Sequence, residues 1–158
     1  MTEDFKQALI KMLVRHEALR LHPYLCPSGY NTIGIGHNMD ANPLPDDMQV
    51  YLNENNSITY DMTIALVNAD IEIALKVCHK LYHSFDYFSE GRQMALLDFV
   101  FNVGGTIAKR FFIANTCINL ERWDEAAKEF VQSTWYNQTG KRSREIVAMI
   151  LEEKVEAA

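Results

Sequence analysis

The sequence predicts an α+β fold, mainly α, and three observations carry the prediction. Apolar residues follow a helical period near the N-terminus, the period vanishes between Arg20 and Asp40, and it returns over most of the chain beyond Thr59. A small β-sheet followed by a long connecting helix and a helical bundle satisfies all three.

Each element has its own signal. Phe5, Ala8, Leu9, Met12 and Leu13 recur three and four residues apart after Thr2, a candidate N-cap with Phe5 at N3, so a first helix is expected to run to about His16. Pro23, Pro27-Ser28-Gly29 and Gly34-Ile35-Gly36 then punctuate β-prone pieces such as Tyr30-Asn31-Thr32-Ile33, which predicts a hairpin or a three-stranded sheet. After Pro43-Leu44-Pro45 a modest helix is expected from Asp46, fading within Asn53 to Ser57. Thr59 offers a fresh N-cap, and Ile64, Val67, Ile71, Leu75, Cys78 and Leu81 form one stripe up to about Tyr82. That stripe predicts a helix of roughly 20 residues, about 30 Å long. Arg92 to Val103, Cys117 to Leu120, Trp123 to Gln132 and Arg142 to Leu151 complete the helical half, separated by Gly104-Gly105, a short polar link and Gly140.

Composition narrows the function classes. The chain has 158 residues, 48% hydrophobic and 23% charged, with 7 Gly and 4 Pro, which excludes disordered and collagen-like chains. A chain of this length buries roughly 70% of its unfolded surface without disulfide or metal staples. Fifteen basic against 21 acidic residues give a net charge of -6, so nonspecific attraction to nucleic acid or an anionic membrane is disfavoured. Cys26, Cys78 and Cys117 are widely spaced, without CxxC or Cys/His ligand patterns, and read as free thiols. No metal or other cofactor is expected. The N-terminal Glu3 and Asp4 replace the bases of a signal peptide, and no apolar run approaches a spanning length, so synthesis in the cytoplasm is expected.

One constellation carries chemistry. Glu17 follows the first helix, where a partly enclosed carboxyl can serve as a general acid. Cys26 follows nine positions later and Thr32 six after that, ahead of Ile33-Gly34-Ile35-Gly36-His37. This segment resembles the phage-type lysozymes, glycoside hydrolase family 24, whose motif pairs a Glu with an Asp, or in some members a Cys, and then a Thr at these spacings. The resemblance continues through Ile58-Thr59 with Asp61, Leu66, Asn68 and Asp70, through Ala95-Leu96 with Val100 to Gly104, and through Arg122 to Ala127. Trp135-Tyr136-Asn137-Gln138-Thr139 is close to the T-even branch of that family in particular. Essentially the whole chain is covered. Many lysozymes are basic, and the acidic balance here departs from them.

The resemblance implies a two-lobed lysozyme-like fold over 1–158 as a single catalytic domain. Its β-containing lobe would occupy 16–59, its interlobe helix 60–82 and its helical lobe 83–158, joined by a helix at 3–16. It implies a muramidase that cleaves the β-1,4 bond between N-acetylmuramic acid and N-acetylglucosamine in bacterial peptidoglycan. Such hydrolysis needs an acid to protonate the leaving oxygen and a second group to attack or to deliver water. Glu17 would be the acid, Cys26 the base or nucleophile, and Thr32 the holder of the attacking water. A thiol with a reference pKa of about 8.5 is only a few per cent ionised near neutrality, unlike an Asp, so Cys26 must be acidified locally or act differently.

Gly36, Phe101 and Asn102 match substrate-binding positions of the family, and Arg142 matches an Arg that reaches the catalytic Glu. His37 is expected to pair with Asp70 in a structural role, Trp123 and Trp135 to be packing residues, and Cys78 and Cys117 to lie in the core. The expected partner is peptidoglycan, engaged by a monomer without nucleic acid or membrane insertion, after release through a holin-type pore or lysis. Two rival readings remain. One is a wall-binding descendant that lost turnover because of Cys26. The other is a cysteine peptidase or amidase using Cys26 with His37, against which stands the position of Cys26 before Pro27 in a turn, with no helix N-terminus to activate it.

Overall fold

The computed structural model describes residues 1–153, so the last five residues of the expected helical lobe lie outside it. Three strands and nine α-helices are found among the described residues, and the fold is α+β with helix predominating. The described residues form two compact units, divided between Glu72 and Ile73. The α1 helix belongs to the first, and the long helix α3 (Tyr60–Leu81) runs from the first into the second.

In the first unit α1 (Glu3–Glu17) starts where the Thr2 hydroxyl accepts from the Phe5 amide at 3.2 Å. The capping oxygen satisfies one of the amides that a helix start leaves unpaired. Phe5, Leu9, Met12 and Leu13 of the face that the apolar spacing marks are buried, whereas Ala8 is exposed and Ile10 is buried in addition. A three-stranded antiparallel sheet follows, in the order β1 (Arg20–Leu25), β2 (Asn31–Gly34), β3 (His37–Asn38). Helix α2 (Asp46–Asn55) ends on the left-handed Asn56, and the Thr59 hydroxyl caps α3 by accepting from the Met62 amide. Ile33, Leu44, Leu52, Ile58 and Leu66 form the core here, with Leu21, Met39, Met48 and Met62 packed against them. This core lies behind the sheet residues that carry the candidate chemistry.

Two differences from the sequence reading concern α3. Val67, Ile71 and Cys78 of the stripe are buried, but Ile64, Leu75 and Leu81 are only half-buried, and Leu66 and Ala74 take the inner positions. The buried arc is rotated by about one residue from the stripe.

The second unit contains α4 (Glu90–Val103), α5 (Gly105–Lys109), α6 (Phe112–Asn119), α7 (Trp123–Val131), α8 (Thr134–Thr139) and α9 (Lys141–Leu151). Periodicity found α4, α7 and α9 but placed the start of α6 at Cys117 and missed α5 and α8. Phe112 and Ile113 are 69% and 62% exposed, so consecutive apolar residues at the start of α6 obscure its inner face. Five- and six-residue helices are too short to show a period. Here α4 packs on α9 and α6 on α7. Phe99 lies edge-on to Phe111, Phe130 and Trp135 at 4.9 to 5.0 Å between ring centroids. Such pairs add to the area they bury because ring edges and faces carry opposite partial charge.

Candidate active site

Glu17 is the last residue of α1, and the chain turns at Ala18, whose φ of 63° and ψ of 171° lie in a region glycine normally occupies. The Ala18 amide still donates to the Val14 carbonyl, so the turn begins directly after the last helical bond. The half-buried Glu17 side chain lies against Gly36, between β2 and β3. A Cβ built at Gly36 would stand 2.8 Å from both Cγ and Cδ of Glu17 and 2.9 Å from Oε2. Gly36 also has φ +65°, so the close approach and the backbone conformation both require glycine.

The β1–β2 hairpin places Cys26 and Thr32. Tyr24 is paired with Thr32 and Leu25 with Asn31. Directly opposed residues of an antiparallel pair share a face, and so do residues two apart on one strand. Tyr24, Cys26 and Thr32 therefore project to the same side, while Leu25 points to the other and is exposed. The turn Cys26-Pro27-Ser28-Gly29 is closed by a hydrogen bond from the Gly29 amide to the Cys26 carbonyl. The Tyr30 carbonyl accepts twice, from the Cys26 amide at 3.0 Å and from the Thr32 hydroxyl at 2.8 Å. Thr32 is 3% exposed and its hydroxyl hydrogen is committed, which leaves its oxygen as an acceptor. Cys26 is half-buried, unlike the other two thiols.

Two residues absent from the sequence reading belong to this neighbourhood. The Arg20 guanidinium carbon lies 4.4 Å from the Tyr24 ring centroid. Burial, and after it the Glu17 carboxyl, push the Tyr24 phenol above its ordinary pKa, with Cys26 adding to the rise and Arg20 opposing it. Glu17, Arg20 and Cys26 thus all lie within electrostatic reach of Tyr24. A Tyr and an Arg four apart on a strand carry no sequence signal, because a regular strand would hold them far apart.

His37 is buried on β3, and each of its ring nitrogens faces an acceptor. Nδ1 stands 2.7 Å from Asp70 Oδ2 on α3 and Nε2 stands 2.8 Å from the Asn42 carbonyl. A carboxylate and a carbonyl can only accept, so the imidazolium satisfies both contacts, whereas a neutral ring satisfies only one. Desolvation opposes that charge, but the hydrogen bond and charge of Asp70 and the bond to Asn42 outweigh it and raise the His37 pKa. With both nitrogens engaged, His37 has no atom with which to activate Cys26.

The remaining candidates lie in the second unit. Phe101 and Asn102 are half-buried in the last turn of α4, and Asn102 Oδ1 accepts from Trp135 Nε1 at 2.8 Å. Trp135 is buried in the aromatic cluster, and Trp123 stacks edge-on against Phe88 and under the Arg92 guanidinium. Arg142 is buried, not a surface residue of α9, and its Nε donates to the fully buried Asp98 Oδ1 at 2.8 Å. Asp98 was missed, although an Asp inside Ala95-Leu96-Leu97-Asp98-Phe99-Val100 signals a buried charge that needs a cation. Cys78 and Cys117 are buried, and burial pushes the Cys78 thiol far above its ordinary range. Among the described residues, no cluster of three or more His, Cys, Asp or Glu could hold a metal ion, and no helix is long and apolar enough to cross a membrane.

Comparison with known proteins adds an independent line. A family model described as phage lysozyme matches residues 14–150. Probable T4-type lysozyme 1 of Dictyostelium discoideum is 31% identical over 157 residues, covering 88% of this chain and 91% of that protein. Probable T4-type lysozyme 2 of the same organism is 29% identical over 160 residues, with coverages of 90% and 92%. The pre-baseplate central spike protein Gp5 of Enterobacteria phage T4 is 31% identical over 165 residues, which takes in 95% of this chain but 28% of the length of Gp5. A match over most of the chain, together with a small antiparallel sheet beside a helix-terminal Glu, means that the chain belongs to the phage lysozyme family, glycoside hydrolases of the muramidase type that act on peptidoglycan.

Proposed function

We propose that the protein is an endolysin that hydrolyses the β-1,4 bond between N-acetylmuramic acid and N-acetylglucosamine and thereby lyses the cell wall. Glu17 protonates the departing glycosidic oxygen. Cys26 acts as base or nucleophile, and Thr32, whose hydroxyl oxygen remains an acceptor, holds the attacking water. Gly36, Phe101 and Asn102 contact sugar, and Arg142 orients Glu17, assignments that rest on the family resemblance. His37 and Asp70 support the site by tying β3 to α3. The protein is made in the host cytoplasm and reaches the wall as a monomer through a holin-type pore or on lysis, and residues 1–158 serve as one catalytic domain.

The observation that supports this reading most directly is the shared acceptor at Tyr30, which ties the Cys26 backbone to the Thr32 side chain on the strand face they share. The engagement of both His37 nitrogens speaks against the peptidase alternative. The test is digestion of purified peptidoglycan with analysis of the products. New reducing ends terminating in N-acetylmuramic acid are expected, and Glu17→Gln should reduce their release at least about a hundredfold because the amide cannot donate the proton. New amino groups without reducing ends would replace this reading with a peptidase or amidase, and no products at all would favour a wall-binding descendant.

A further inference from the structure

The pairing of β1 with β2 is interrupted at one place, and the interruption joins the two reacting groups. Arg20 lies opposite Gly34 and Tyr24 opposite Thr32, so four steps along β1 face only two along β2. The surplus forms a bulge that bends the strand. Glu17 stands three residues before Arg20, and Cys26 two residues after Tyr24. The bulge therefore lies on the shortest covalent path from the carboxyl to the thiol.

The middle of the bulge is held, since the Leu21 carbonyl accepts from the Ile58 amide at 3.0 Å and His22 Nδ1 lies 2.8 Å from the Asn56 carbonyl, but neither bond fixes the spacing of its two ends. In a regular strand, residues four apart are separated by about 13 Å, yet the Arg20 guanidinium carbon sits 4.4 Å from the centroid of the Tyr24 ring. Side chains on a strand stand roughly perpendicular to it, so the bend that brings the two backbones closer favours the contact. It bridges the two ends of the bulge, and Tyr24 is itself anchored by its pairing with the buried Thr32.

We propose that the stack of Arg20 on Tyr24 is a clamp across the bulge, and that both are positioning residues that set the separation between the Glu17 carboxyl and the Cys26 thiol. The inference rests on the reading of those two as the acid and its partner. That separation matters because glycosidases with a gap of about 5 Å attack the sugar directly, whereas a gap of about 6.5 to 9.5 Å admits a water. A loosened clamp leaves both groups present but misaligned, which reduces the rate of the chemical step more than it weakens binding.

The test uses Arg20→Met, Arg20→Lys, Tyr24→Leu, Tyr24→Phe and the Arg20→Met/Tyr24→Leu double variant. Two readouts are taken below the unfolding range of each: steady-state cleavage of purified peptidoglycan, and the rate at which iodoacetamide alkylates Cys26, followed by mass spectrometry. Arg20→Met and Tyr24→Leu should each lower kcat about tenfold with KM little changed, the scale expected for a cation on a ring. The double variant should lose no more than either single one, because each removes the whole clamp. Arg20→Lys and Tyr24→Phe keep a cation over a ring and should restore most of the rate. Losses that add, losses that reside in KM, or failure of the Lys and Phe variants to restore the rate would overturn the clamp. If the wild type releases no reducing ends, the reading of Glu17 and Cys26 fails, and alkylation then decides the clamp by itself. Arg20→Met, Tyr24→Leu and the double variant should shift the Cys26 rate to the same extent, and unchanged rates would overturn it.

Discussion

Glu17 rests on the backbone of Gly36 with no room for a methyl group between them. Gly36→Ala would force a Cβ to within 2.8 Å of the carboxyl carbon while demanding a positive φ of an L-residue. The strained backbone should cost about 1 to 3 kcal/mol of stability. A displacement of the Glu17 carboxyl by about 1 Å should reduce turnover about a hundredfold. Thermal unfolding and cleavage of purified wall measure the two effects separately. A variant with wild-type turnover would show that Glu17 does not need this seat.

If Cys26 is the base or nucleophile, activity tracks its thiolate. The pH profile should then have an ascending limb that Cys26→Asp moves to lower pH, since an Asp ionises near pH 4 and a thiol near 8.5 in the reference state. Cys26→Ser should be weaker by about a hundredfold or more, because a hydroxyl is scarcely ionised in this range. Alkylation should inactivate the wild type and spare Cys26→Asp, as Cys78 and Cys117 are buried. Full activity in Cys26→Ala would make the thiol a spectator and leave Glu17 with a water held by Thr32.

The His37–Asp70 pair makes stability depend on pH. The folded-state pKa of His37 is raised above 6.5, so its charge-dependent contribution is complete below the unfolded value and fades as pH rises through the raised folded value. Asp70→Asn should therefore cost about 2 kcal/mol near pH 5 and clearly less near pH 9. Denaturant unfolding at the two pH values tests this. A deficit that grows with pH would contradict an imidazolium at His37.

Ala18 occupies a glycine-type conformation immediately after Glu17. Ala18→Gly should stabilise the protein by about 1 kcal/mol, the relief of strain exceeding the extra freedom gained by the unfolded chain. For a domain of this size that is a rise of about 2 to 4 °C in melting temperature. An unchanged or lowered value would mean that the turn is not strained.

Much of the fold was legible because it rests on periodicity and capping. Thr2 and Thr59 announce two helices by their own hydroxyls, and the loss of period between Arg20 and Asp40 marks the sheet. What escaped has physical reasons. The exposed Phe112 and Ile113 break the amphipathic pattern of α6, and α8 is shorter than two turns. At the site, Glu17, Cys26 and Thr32 stand at motif spacing and could be named in advance. Arg20 and Tyr24 could not, because the bulge that lies between them is not marked in the sequence. Asp98 could have been found, since a carboxyl amid apolar residues calls for a buried cation, which is Arg142.

The double acceptor at Tyr30 is a main-chain atom, and this separates tolerance from importance at that position. The Tyr30 side chain is half exposed, while its carbonyl oxygen fixes both the Cys26 amide and the Thr32 hydroxyl. Every amino acid brings the same oxygen. A scan of side chains would therefore record position 30 as permissive, and evolution is free to vary it, although one of the most constrained points of the site passes through it. Only a change to the peptide linkage itself, such as an ester in place of the 30–31 amide, would weaken that acceptor, together with the bond from the Asn31 amide to Asp40.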